Sequence, residues 1–243
     1  MAITTKEKFR QSIMLPLWLI GIIWAVQIYQ SATGIDLGIY GVYPRKVFGL
    51  RGILFSPLIH SGWPHLLSNT PPMLFLSAMV LFFYRRVAFS SFFTIYLLTG
   101  LAVWLFARDN AFHIGASGVI YGLVAFVFWN GIFRRNLKSI VLALIVVFYY
   151  GGMFVGIVPG QESNISWESH LMGGIVGILT SFWFKNQIEK DENKPVYSWE
   201  REEATPDQFF LDRDTFDKTK QERLAEQQEK DKRDNDWFSS SSW

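Results

Sequence analysis

Apolar residues fill most of the first 184 positions in six blocks, separated by short polar breaks. The blocks are Ile13–Tyr29, His65–Tyr84, Phe89–Phe106, Gly115–Phe133, Ser139–Gly156 and Ser169–Phe184. Crossing a hydrocarbon core of about 30 Å takes roughly 20 apolar residues in a helix, with a range of about 17–25. The pattern therefore predicts an all-α polytopic membrane protein, a six-transmembrane-helix bundle over residues 13–184. Three of the breaks are Arg85-Arg86, Arg108-Asp109-Asn110 and Arg134-Arg135-Asn136. The first block is not read as a signal peptide, because no clean small-residue cleavage site follows it and five more blocks do. Residues 1–12 make a polar N-terminal segment, and 185–243 a charged tail.

Charge supplies the orientation. Only 18% of the 243 residues are charged while half are hydrophobic, which excludes disorder throughout. Residues 1–184 carry 12 Lys and Arg against 5 Asp and Glu; 185–243 carry 11 against 16. With the N-terminus inside, nine basic residues flank the cytoplasmic ends (Lys6, Lys8, Arg10, Arg85, Arg86, Arg134, Arg135, Lys138, Lys185). Four face out (Arg45, Lys46, Arg51, Arg108), so both termini are predicted to be cytoplasmic. The long first external loop, 30–60, holds Ile39, Tyr40, Val42, Tyr43, Val47, Phe48 and Leu50. A solvated loop would not expose these together, and the expectation is an interfacial element. In the tail, Thr205-Pro206-Asp207-Gln208 reads as a helix start, with a helix from about Pro206 to Lys230. Its apolar positions are too few for a core; Trp237, Phe238 and Trp243 end it.

Candidate chemistry follows from a short census of polar groups in the apolar blocks. Such groups cost free energy in lipid, so each is a functional hypothesis. The chain has no cysteine, which removes disulfides, thiolate zinc sites and cysteine nucleophiles. No H-E-x-x-H exists to bind zinc, and before residue 185 the aspartates are Asp36 and Asp109, both in loops. Metalloprotease and aspartyl intramembrane chemistry are thereby excluded. What remains is Ser117 in Gly115-Ala116-Ser117-Gly118 and His170 in His170-x-x-Gly173-x-x-x-Gly177. A serine hydroxyl needs a positioned base, and imidazole suits the task. Gly118 with Gly122, and Gly173 with Gly177, form small-residue faces that let two helices pack almost backbone to backbone. Packed so, Ser117 and His170 come within reach, and Tyr121, one turn after Ser117, can lie on the His170 ring.

With these elements the sequence resembles the rhomboid family of intramembrane serine proteases. The matching residues are Gly115-Ala116-Ser117-Gly118, Tyr121, His170 with Gly173 and Gly177, His65-x-x-x-Asn69 and His60, over roughly 45–184. The resemblance implies a rhomboid-like bundle and a Ser117–His170 dyad without an aspartate. It also implies oxyanion stabilisation by His65 and Asn69, with Tyr121, Gly115, Gly118, Gly173 and Gly177 as site support. Transmembrane proteins would be the substrates and the lipid bilayer the setting, a bacterial cell (inner) membrane. No metal, organic cofactor or nucleic acid is implied. The family's first loop usually carries Trp-Arg where this chain has Leu50-Arg51, and Pro71-Pro72 must bend the second span or free carbonyls there.

Plainer readings stand beside these. Ser117 would serve as an N-terminal serine of a glycine-rich helix, and His170 as an interfacial histidine. Asn69, followed by Thr70-Pro71, would serve as a helix cap, although a helix from Pro71 would span only about 21 Å. Tyr121 packs in either case, and His60 and His113 are expected to hold loop backbone. The rival function is a non-catalytic membrane protein of the same fold that binds and routes client helices. A solute transporter would want polar sites at the midplane, which the sequence lacks.

Overall fold

The computed structural model describes residues 4–159, 166–189 and 216–240. The chain divides into two units, Met1–Asn193 and Lys194–Trp243. Among the described residues the secondary structure is helical, apart from one antiparallel bridge pairing Val42 with His113.

Helix α1 spans Thr5–Thr33. It begins on a capping box in which Thr4 Oγ1 accepts the Glu7 N–H at 3.2 Å and the Glu7 carboxylate accepts the Thr4 N–H. It ends where Gly34 turns left-handed. The first loop then winds through short 3-10 turns at Leu37–Tyr40, Val47–Arg51 and Ser56–Leu58 and a one-turn helix, α2, Gly52–Phe55. Val42 of this loop is buried, while Ile39, Tyr40, Val47, Phe48 and Leu50 lie on the outer surface of the unit. Arg51 closes the loop on itself: it donates to the Ile39 carbonyl at 2.9 Å and covers the Tyr40 ring.

Helix α3, Trp63–Phe83, runs unbroken past Asn69 and through Pro71 and Pro72. The cap reading of Asn69 therefore fails: the helix starts two turns earlier, with Pro64 in its first turn, where a missing N–H costs nothing. The two internal prolines release the carbonyls of Leu67 and Ser68 from helical pairing. Next come α4, Ala88–Phe106, α5, Ser117–Arg134, and α6, Leu137–Tyr150, which continues as a 3-10 turn over Gly151–Ile157. Asn136 caps α6 by accepting the Ser139 N–H, and Ser166 caps α7, Trp167–Phe184.

Five of these helices are long and apolar enough to cross a membrane: α1, α3, α4, α5 and α6 with its 3-10 continuation. The sixth apolar block, α7, is 18 residues long but carries Glu168 and His170 in its first turn. Helix α5 stands at the centre, packed on α3, α4, α6 and α7. Its Ile120, Leu123, Phe126 and Val127 are fully enclosed and meet Met73, Leu76 and Val80 of α3, Ile95 of α4, Leu142 and Val146 of α6 and Val176 of α7. The helix that carries Ser117 is thus the best-fixed element of the unit. The second unit contributes α8, Lys220–Ser240, opened by Thr219, whose Oγ1 accepts the Glu222 N–H. It extends ten residues beyond the Lys230 end expected from the sequence; the expected start at Thr205-Pro206 lies outside the described residues, as does Trp243.

Candidate active site

Helices α5 and α7 meet through their glycines. A Cβ on Gly173 would run into the Gly118 carbonyl, and one on Gly177 into the Gly122 carbonyl. With no side chain between them, the two backbones close up and bring the first turns of both helices together. There His170 Nε2 lies 2.9 Å from Ser117 Oγ. His170 Nδ1 lies 2.9 Å from the carbonyl oxygen of Gly156. A carbonyl can only accept, so Nδ1 carries the proton and Nε2 is left to accept from the serine hydroxyl. The Tyr121 ring stacks on the imidazole at 4.1 Å with an 8° tilt, and its hydroxyl donates to the Met153 carbonyl at 2.6 Å. His170 is therefore held on one face by a ring and at one edge by backbone.

Ser117 follows a turn that needs Gly115. That residue has φ +105°, a left-handed conformation that favours glycine, and a Cβ there would meet the His65 ring at 2.6 Å. His65 is fixed by Ser61, whose hydroxyl is 3.2 Å from Nδ1, and by edge contact with His60. His60 accepts the Ala116 N–H on Nε2 at a long 3.5 Å, holding the backbone next to the serine. Burial first, and then the neighbouring His65, push its pKa down to about 4, so it is neutral at ordinary pH. Asn69 is 8% exposed; its amide nitrogen is buried and makes no hydrogen bond among the described residues.

These groups line one cavity of about 1170 Å³. Pro64, Ser68 and Pro72, spaced one turn apart on α3, line it, as do Tyr149, Tyr150 and Met153 of α6 and its continuation. Ser117, His170, His65, Asn69 and Tyr121 all line it, whereas His60 lies outside the lining. Gly115, Gly118, Gly173 and Gly177 do not line it; Gly115 lies against the His65 ring, and the other three lie at the contact between α5 and α7. His113 stands at the rim, bridging Ser166 Oγ at 2.6 Å and the Arg108 carbonyl at 3.2 Å, in keeping with a loop-holding role. No group of three or more His, Cys, Asp or Glu able to hold a metal occurs among the described residues.

Two participants escaped the sequence reading. Gly156 supplies the carbonyl for His170, and a Cβ on it would fall on the Tyr121 hydroxyl and 3.1 Å from Nδ1. Its only signal was the small-residue spacing Gly152-x-x-x-Gly156. Glu168, 5% exposed and paired with Arg108 at 3.4 Å, was passed over because it sits just outside the last apolar block.

A family model described as a rhomboid domain matches residues 48–187, the stretch from the first loop to the end of α7. An uncharacterized protein of Mycobacterium bovis and one of Mycobacterium tuberculosis are each 35% identical over 184 residues, covering 69% of this chain and 76% of theirs. A Bacillus subtilis protein bearing the name "Putative rhomboid protease YdcA" is 28% identical over 162 residues, covering 63% and 73%. The match embraces both glycine faces and four of the five helices of membrane-crossing length, and the chain is an integral membrane protein that belongs to the rhomboid family.

Proposed function

We propose that the protein is an intramembrane serine endopeptidase that cleaves transmembrane segments of other membrane proteins through a Ser117–His170 dyad. The observation that carries this reading is the pairing of Ser117 Oγ with His170 Nε2 at 2.9 Å while Nδ1 faces a carbonyl. A histidine in that tautomer is ready to take the serine proton without a third catalytic side chain. Ser117 Oγ attacks the scissile carbonyl carbon as its proton passes to Nε2. The imidazolium then returns that proton to the leaving amine, and an acyl-enzyme remains. Water, deprotonated by the same nitrogen, hydrolyses the ester and restores the serine.

The negative oxygen of each tetrahedral intermediate needs donors. Asn69 offers an unpaired buried amide, and the Ser117 N–H, in the first turn of α5, has no helical acceptor. His65 Nε2 can donate when Ser61 donates to Nδ1. The backbone of a hydrogen-bonded helix hides its carbonyls, so substrates are helices that unwind easily near the external interface. In this reading α7 is the sixth span, both termini are cytoplasmic, the apolar first loop rests at the headgroup boundary, and the host membrane is a bacterial inner membrane. The net-acidic segment 185–243 is cytoplasmic.

The test is labelling of the purified protein by a serine-directed fluorophosphonate together with cleavage of a reporter transmembrane substrate. Ser117→Ala should lose both signals and His170→Ala should lose cleavage, each with normal membrane insertion. Full cleavage by either variant would end the dyad assignment.

A further inference from the structure

The dyad residues open two different helices, and the groups that fix those openings against each other lie outside the dyad. Ser117 is preceded by the loop 107–116; His170 sits in the first turn of α7, after Ser166 and Glu168. Two ties join them. Arg108 Nε pairs with Glu168 Oε1 at 3.4 Å, and His113 Nδ1 lies 2.6 Å from Ser166 Oγ, itself 2.7 Å from Ser169 Oγ. The proton positions are forced. His113 Nε2 faces the Arg108 carbonyl and must donate, so Nδ1 accepts from Ser166, which in turn accepts from Ser169. The relay requires a neutral His113, and burial of the ring drives its pKa below the ordinary value, against a smaller upward pull from Glu168.

Glu168 does not fit a purely structural role. Its side chain is nine-tenths buried, one oxygen meets Arg108, and Oε2 makes no hydrogen bond among the described residues. A buried carboxylate with an unsatisfied oxygen is a poor way to stabilise a helix start, and a neutral residue would cost less. What the position offers is a negative charge two residues from His170, in the same first turn of α7. The titratable and charged groups around that ring are His65 of α3, Tyr121 of α5, Tyr150 of α6, Arg108 and His113 of the loop, and Glu168 of its own helix. Glu168 is the carboxylate in this set. Two residues apart on a helix, the Glu168 and His170 side chains leave on different sides, so the charge acts through space and through the shared first turn.

We propose that Glu168, held by Arg108, is the positioning carboxylate of this site: it ties the Ser117 loop to the His170 helix and provides the counter-charge for the imidazolium formed during acyl transfer. The proposal rests on the Ser117–His170 reading. It gives the dyad a remote equivalent of the third group that orients a catalytic histidine elsewhere, without contact to the ring.

The test is kinetic, on the full-length protein in detergent with a reporter transmembrane substrate and Ser117→Ala in parallel. Glu168→Gln should lower kcat on the order of tenfold with KM little changed, as expected from loss of a nearby charge in a site of intermediate polarity. The acid limb of the rate profile should also move to lower pH, because without the carboxylate His170 gives up its proton more readily. Glu168→Asp, which keeps the charge on a shorter arm, should leave the acid limb in place while kcat falls. An unshifted acid limb and wild-type kcat in Glu168→Gln would overturn the proposal and leave the dyad standing. Cleavage surviving in Ser117→Ala would remove the dyad itself, and this proposal with it. Should Glu168→Gln fail to fold, the Asp variant decides: an acid limb that shifts although the charge is kept overturns the counter-charge role.

Discussion

Asn69 and His60 line one small cavity beside Ala116 and place contrasting demands on the site. Asn69 presents a buried donor with no partner, which is costly unless something negative arrives to use it. If its work is on the oxyanion, Asn69→Ala should lower kcat by about 10²-fold while KM changes little, because the bond matters only as charge develops. Steady-state cleavage in detergent measures this, and a wild-type rate with only a lowered melting midpoint would return Asn69 to simple packing. His60 works by accepting the Ala116 N–H, which it can do only when neutral. Its folded pKa of about 4 lies below the ordinary value of about 6.5, so the unfolded chain binds the proton more readily. The stability this group contributes is complete above about pH 6.5 and is lost as pH falls toward about 4; the buried His113 acts in the same direction. The thermal midpoint in detergent should therefore drop through that window, and the drop should be smaller in His60→Gln, which cannot titrate. Equal slopes in the two proteins would assign the acid sensitivity to other groups.

At the scale of elements, the glycine faces of α5 and α7 turn a sequence pattern into a distance. Gly173 and Gly177 lie against the carbonyls of Gly118 and Gly122, so a single methyl at either position must push two helices apart. Forced overpacking of this kind costs about 1–3 kcal/mol, and a displacement of an ångström at reacting atoms costs about 10²-fold in rate. Gly177→Ala, two turns from His170, should accordingly lower both the melting midpoint and kcat, whereas Gly174→Ala, with open space around it, should change neither. The comparison separates close approach from helix propensity, since both substitutions add the same methyl. This interface was legible in the sequence because small residues four apart on an apolar helix mark a face where another backbone comes close. Ser117, His170, His65 and Asn69 stood out because polar groups in apolar blocks are rare. The His170 partner was not legible. Gly156 acts through its carbonyl, which every residue has, so no side chain marks the position. Glu168 was hidden for a different reason: beside a membrane span an acidic residue reads as a boundary, and only burial against Arg108 sets it apart.

For the whole molecule, the apolar blocks located the helices because lipid demands length and hydrophobicity together, and those demands are weakest where function intrudes. The first turn of α7, with Glu168, Ser169 and His170, is the case in point: the polar groups that make the site also make the helix less apolar than its neighbours. The tail obeys neither demand. Lys220–Ser240 is a helix with Glu222 in its first turn, and its described side chains are exposed on every side. A helix that buries no apolar face gains little from packing and rests on capping and charge pairs such as Lys218–Glu226 at 2.8 Å. With 16 acidic residues against 11 basic over 185–243, the segment gains nothing from an anionic leaflet and should stand off it. It also holds none of the candidate site residues. Truncation after Asn193 keeps Glu189, which accepts the Arg86 N–H at 2.7 Å, and the Gln187 carbonyl that Arg134 reaches. Cleavage of a reporter substrate in detergent by the truncated protein should match the full chain within about threefold, under ~1 kcal/mol of barrier. A loss above about tenfold, with normal expression and an unchanged melting midpoint, would show that the tail takes part in turnover.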